Sequence, residues 1–152
     1  GNQIDVECFS PGLVHGKELQ PRIDALVERN DARGKLSVMA VSAGPGSFTG
    51  TRIGVSAAKA MAWALQIPAL AISSFDVIAC NIEEPGRWGV LLDASSGDLD
   101  IAFYEVNADG ASKDGEERTG HRDQLADFVA SGTRFIGSGS RIEGLVPALP
   151  TG

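Results

Sequence analysis

The sequence predicts an α/β protein whose first half is built on a largely parallel sheet. Three observations lead there. Short apolar runs alternate with longer stretches at helical spacing. A glycine-rich stretch joins one such run directly to a helix. A strand–turn–strand pattern then opens the second half.

Residues Gln3–Ser10 alternate Ile4, Val6 and Cys8 with Asp5 and Glu7, the pattern of a half-buried strand. Pro11-Gly12 is a turn signal. From about Glu18 to Arg29, Leu19, Ile23, Leu26 and Val27 recur at helical spacing, and the helix ends between Asn30 and Gly34. Leu36–Ala43 is short and nearly all apolar, which predicts a buried parallel strand. A helix follows from about Thr51 to Gln66 and stops at Pro68. Ala69–Ile72 reads as another buried strand. Ser73 or Ser74 can cap the next helix, which carries Asp76 in its first turn and runs to about Ile82.

Glu83-Glu84-Pro85-Gly86 is the clearest break in composition and is taken as a boundary between residues 1–84 and 85–152. Gly89–Asp93 and Leu99–Val106 flank Ser-Ser-Gly-Asp as a β-hairpin. Asn107–Thr119 is polar and Gly-rich and reads as a loop. Arg122–Ala130 predicts a helix and Arg134–Gly137 a last strand. Both ends are abrupt: the chain opens within a strand pattern, and Leu145–Gly152 completes no element.

The chain has 152 residues, 43% hydrophobic and 22% charged, the composition of a folded protein. Its net charge of −7 offers no footprint for holding a phosphate backbone unaided. Cys8 and Cys80 form no CxxC and suit buried thiols in a reducing cytoplasm. His15 and His121 are far apart, so no metal-ligand spacing is visible. No apolar run approaches the roughly 20 residues of a membrane span, and no signal peptide is expected.

Gly44, Pro45, Gly46, Ser47, Phe48, Thr49, Gly50 and Arg52 make up the glycine-rich stretch and the start of its helix. Backbone amides at such a helix start can hold an anion, and glycine admits close approach. The stretch is not a P-loop, since no Lys follows Gly50. It is not G-x-G-x-x-G, because the third glycine comes one residue late. A tight strand–helix turn without a ligand explains it equally well. The helix behind it is apolar around most of its circumference. Val55, Ala58, Met61, Ala62 and Leu65 interleave with Gly54, Ala57, Ala60 and Ala64. That implies burial on more than one side, against a further layer of the same protein or against a partner helix.

Among single residues, His15 reads as a surface or capping histidine, and Trp63 and Trp88 as packing residues. Asp114, Glu116 and Glu117 read as a solvated loop. Arg52 can serve a partner carboxylate or simply the surface.

Gly44–Gly54, GPGSFTGTRIG, resembles the G-P-G-S-F-T-G-x-R-I-G signature of TsaB (YeaZ) proteins. P-A-L-A-I-S-S-F-D at 68–76, His15 with Leu19, and Gly89–Tyr104 resemble further family segments. The likeness covers roughly residues 3 to 140. It implies an actin-like ATPase (ribonuclease H-like) fold of two lobes, incomplete here at both ends. The family's D-A-R appears as Asp93-Ala94-Ser95, which puts in doubt any role of that Arg.

What the resemblance implies for function is a non-catalytic subunit without catalytic residues or a metal. It binds a TsaD-type paralogue, with a TsaE-type ATPase and ATP completing the complex and tRNA reached only through it. The docking surface it implies is the first two helices, here Leu19, Ile23 and Leu26 with Val55, Ala58, Met61, Ala62 and Leu65. A homodimer would use the same surface. No cofactor is expected on the chain itself, and the location expected is the cytoplasm. The competing expectations are an ATP-binding enzyme of the actin-like class and a glycoprotease-like peptidase.

Overall fold

The computed structural model describes residues 4–8, 15–95, 97–127 and 132–141. Predicted features at Pro11-Gly12, 128–130 and 145–152 lie outside the described residues. The chain divides into two compact units, Gly1–Val41 with Phe48–Ala71, and Ser42–Ser47 with Ile72–Gly152.

The first unit holds helix α1 (His15–Arg29) and helix α2 (Phe48–Leu65). Strands β1 (Met39–Ser42) and β2 (Ala69–Ile72) pair as a two-stranded sheet. The strands run the same way, because Met39 N donates to Pro68 O and Ala43 N to Ile72 O. Helix α2 passes over β1 at Gly54, where a Cβ would stand 3.6 Å from Val41 Cγ2, an ordinary packing distance.

Three expectations about this unit are corrected. Residues 4–8 form no strand. Asp5 binds Arg29 at 2.8 and 2.9 Å and Asn30 at 2.6 Å, and Glu7 binds Arg22 at 3.0 Å. Ile4 (85% exposed) and Val6 (67%) are left outside, so the alternation turns its polar side to the arginines of α1 rather than its apolar side into a sheet. Strand β2, expected to be buried, is exposed at all four positions, and β1 alternates half-buried with exposed. Helix α2 buries one side only.

The Asp5 pairing makes a pH prediction. The hydrogen bonds from Arg29, and then from Asn30, hold its carboxyl at about 2 against the usual 3.8. A depressed folded-state value contributes stability above 3.8 that is lost as pH falls through about 2. Residues 4–8 should therefore leave α1 between those values. An NMR titration of the Asp5 carboxyl and the Arg29 side chain checks this, and an Asp5 midpoint near 3.8 would refute it.

The second unit is a sheet in the order β5-β4-β3-β7, with β6 also pairing β4. The hairpin of β3 (Gly86–Ser95) and β4 (Asp98–Asn107) carries it. Its pairs run from Gly86↔Val106 to Asp93↔Leu99. Strands β5 (Gly110–Lys113) and β6 (Arg118–His121) pair with the two ends of β4. Strand β5 and the first two residues of β6 fall within Asn107–Thr119, the segment expected to be a loop. Their polar composition hides them because they lie at the edge of the sheet, where backbone pairing rather than burial makes the strand. Strand β7 (Arg134–Ile136) runs parallel to β3. The described part of the helix predicted at 122–130 is 3₁₀ at Arg122–Asp127, and a second 3₁₀ turn spans Ser138–Arg141.

Alternate residues of the hairpin feed two cores. Leu91, Leu99, Ile101 and Phe103 pack on one face, with Phe135 against them. Val90, Ala102 and Tyr104 pack on the other with Phe75 and Ala79 of α3 (Ser74–Ala79). Burying a ring such as Phe75 contributes about 1.5–3 kcal/mol. Ser73 caps α3, its side chain accepting from Phe75 N. The helix stops at Ala79, short of the expected Ile82.

Candidate functional site

The glycine-rich stretch lies across the two units: Gly44–Ser47 belong to the second and Phe48–Arg52 to the first. In the second unit the Gly44–Pro45 peptide is cis, and Gly44 takes φ +103°, a conformation that favours glycine. Ser74 N donates to Gly44 O at 2.8 Å, and the hydroxyls of Ser42 and Ser74 lie 2.7 Å apart. The bend of this loop is thus tied to the start of α3.

Beside the loop is a polar cavity of about 430 Å³, bounded by Ala43, Gly44, Pro45, Phe75, Asp100, Glu117, Arg118 and Thr119. Its carboxylates are already engaged. Asp100 accepts from Thr119 Oγ1 at 2.5 Å, and Glu117 accepts from Ser73 Oγ at 3.2 Å and Lys113 Nζ at 2.6 Å. The residues Asp114, Glu116 and Glu117 do not act as one group, since Asp114 pairs with Arg87 at 2.5 Å instead. Among the described residues no three His, Cys, Asp or Glu side chains gather as metal ligands.

In the first unit, α2 divides its predicted docking residues. Ala58 (6% exposed) and Ala62 (4%) are buried, with Val55 and Met61 half-buried beside them. Leu19, Ile23 and Leu26 of α1 are half-buried as well. Leu65, at the end of α2, remains exposed.

The open side of α2 is a different row. Phe48, Arg52, Ser56, Lys59 and Trp63 follow one another by four, four, three and four residues, which sets them on one face. All five are exposed, Phe48 at 74% and Trp63 at 79%. The Arg52 guanidinium sits 5.2 Å from the centre of the Phe48 ring. Thr49, Arg52, Ile53 and Ser56 line a shallow hollow of about 420 Å³ along this face.

Trp63 is therefore not a packing residue, contrary to expectation. The i, i+4 spacing of Phe48, Arg52 and Ser56 was the available signal, masked by small residues all round the helix. Trp88 does pack: Arg134 lies 4.4 Å over its ring, and its Nε1 donates to Glu84 O at 2.9 Å. Arg134 also pairs with Glu84. Asp93 donates its backbone N–H to Ser138 Oγ at 3.1 Å at the end of β3. Cys8 and Cys80, expected to be buried, are both free and exposed. The His15 side chain lies outside the described residues. Among the described residues no helix is long and apolar enough to cross a membrane.

Comparison with known proteins supplies the context for this face. Residues 13–124 match the family model "TsaD: tRNA N6-adenosine threonylcarbamoyltransferase". The TsaB protein (tRNA threonylcarbamoyladenosine biosynthesis protein) of Bacillus subtilis is 38% identical over 93 residues, 60% of this chain and 41% of that protein. Its counterpart in Escherichia coli is 29% identical over 100 residues, 63% of this chain and 43% of that protein. The chain thus spans less than half the length of these curated relatives. The solved structure of YeaZ from Pseudomonas aeruginosa matches 90% of this chain and 67% of its own at a TM-score of 0.75 and 25% identity. A second Pseudomonas aeruginosa structure, described as similar to peptidase YEAZ, matches 91% and 66% at a TM-score of 0.74 and 26% identity. The chain belongs to the tRNA N6-adenosine threonylcarbamoyltransferase family and, within it, resembles the TsaB (YeaZ) proteins, with their actin-like ATPase fold.

Proposed function

We propose that this protein serves tRNA threonylcarbamoyladenosine biosynthesis as a non-catalytic subunit that docks onto a TsaD-type transferase. The observation that carries this reading is the open face of α2. An exposed aromatic at each end brackets Arg52 and Lys59 on a helix whose opposite side is packed. Tryptophan and arginine are the residue types that dominate binding energy at protein interfaces. An exposed Trp flanked by cations on a chain of net charge −7 suits a partner surface with an apolar slot and carboxylates around it.

In this reading the docking contact moves from Ala58 and Ala62 to Phe48, Arg52, Lys59 and Trp63. A TsaE-type ATPase and ATP join in the assembled complex, which holds the tRNA, and the setting is the cytoplasm. In the absence of the transferase the same face pairs two copies of the chain.

Light scattering after size exclusion, alone and with a TsaD-type transferase, tests the proposal. The expected result is a homodimer that converts to a one-to-one complex. A chain that ignores the transferase at concentrations of about 10 μM, weaker than most specific complexes, would overturn it. The chain alone should show no heat of ATP binding by calorimetry. A measured ATP affinity would favour an ATP-binding enzyme of the same fold instead.

A further inference from the structure

We propose that Lys113 and Glu117 form an ionic strap, loosened by salt, that holds the start of α3 and through it the Gly44–Pro45 loop. This goes beyond the docking reading and does not depend on it.

The strap is a continuous chain of contacts within the second unit. Lys113, at the end of β5, reaches Glu117 Oε1 at 2.6 Å and Asp76 Oδ1 of α3 at 3.2 Å. It also lies 5.8 Å from the centre of the Tyr104 ring. Glu117 accepts from the hydroxyl of Ser73, the residue that caps α3. The next residue, Ser74, donates its backbone N–H to Gly44 O. One ammonium group thus neutralises two carboxylates from different elements. The same contacts end two hydrogen bonds away from the glycine loop.

Without Lys113, Asp76 and Glu117 would face one another uncompensated, and Glu117 would swing towards water and release Ser73. Asp76 would keep the 2.5 Å hydrogen bond from Tyr104. Asp114 and Glu116 stand beside Lys113 and Glu117 in the chain, and Arg118 and Asp100 line the cavity beside the loop. The side chains of Lys113, Glu117 and Asp76 are 30%, 42% and 45% exposed, so dissolved ions reach the pairs and screen them. Phe75, buried beneath the same helix, responds to salt in the opposite sense, because excluded salts strengthen apolar burial. Loosening with salt is therefore the mark of the strap and not of the packing.

The Ser74 amide is the reporter, since its exchange with solvent requires the bond to Gly44 to open. Exposed ion pairs of this kind are each worth a factor of a few, so the two together give about three- to ten-fold. By NMR hydrogen exchange, Ser74 should exchange about three- to ten-fold faster at about 1 M salt than at about 0.01 M, where screening is weak. Exchange at Ala102 in the core serves as the reference. Lys113→Met should exchange at the faster rate at both salt concentrations. Should Lys113→Met fail to fold, Glu117→Gln carries the same comparison, because it keeps an acceptor for Ser73 but loses the charge. A Ser74 amide indifferent to salt in the unaltered protein, or as slow in the variant as in that protein, overturns the proposal.

Discussion

Replacing Trp63 with Asp should weaken binding to a TsaD-type transferase by at least about 100-fold while leaving the fold intact. The magnitude is that of a central aromatic anchor, about 2–4 kcal/mol, with the cost of placing a carboxylate against an acidic partner surface added. The fold should survive because the Trp63 side chain is 79% exposed in the first unit. Surface substitutions of this kind shift stability by about 0.5 kcal/mol or less. Isothermal titration and thermal melting of the same samples give both numbers.

Ala58→Glu is the necessary contrast. Its side chain points into the unit, so a carboxylate there is buried without a partner and unfolds α2. Both variants lose the partner, but only Ala58→Glu loses its helical signal. A Trp63→Asp protein that binds the transferase as tightly as the unaltered chain would end the proposal that this face is the docking surface. Arg52→Ala should give a smaller loss, about five- to ten-fold, since an exposed rim charge contributes mainly to encounter.

The legible parts of the sequence were those where one periodicity decides the element. The spacing of Leu19, Ile23, Leu26 and Val27 is unambiguous, and α1 stands where it predicts. The two runs Gly89–Asp93 and Leu99–Val106 around Ser-Ser-Gly-Asp placed the hairpin, and the structure adds that its two faces meet two different cores. Ser73 and Ser74 were the two candidates for the cap of α3, of which the structure uses Ser73, and the GPGSFTGTRIG segment carried the family. The misread segments have a common cause: a pattern fixes which side chains share a face but not which face is covered. Asp5 and Glu7 alternate with Ile4 and Val6 as in a strand, yet Arg22 and Arg29 pair with the acidic side on the surface of α1. In α2 the small residues run all round, so composition could not separate the packed Ala58 and Ala62 from the open Phe48 and Trp63. Strands β5 and β6 have too few apolar residues to show a period and exist through pairing with β4.

The second large effect belongs to Gly137. It follows β7 at the point where that strand, in register with β3 from Trp88↔Arg134 to Val90↔Ile136, reaches Leu91. Its φ is +110°, and a Cβ there would stand 2.2 Å from Leu91 O and 3.1 Å from Leu91 C. Those are backbone atoms of the central hairpin, beside the fully buried Leu91 side chain, so no flexible group can move aside. Gly137→Ala combines backbone strain, about 1–3 kcal/mol, with overpacking of similar size. The expected cost is about 2–5 kcal/mol, a large share of the stability of an ordinary domain. Gly110→Ala separates the two contributions, because Gly110 has φ +120° with nothing within 4 Å of its added Cβ. It should cost the strain alone. Urea unfolding followed on Trp88, in a Trp63→Phe background so that only the second unit is read, measures both. Equal losses at the two glycines would show that the β3–β7 edge yields to the methyl group, and that the close approach at Leu91 does not fix the end of the sheet.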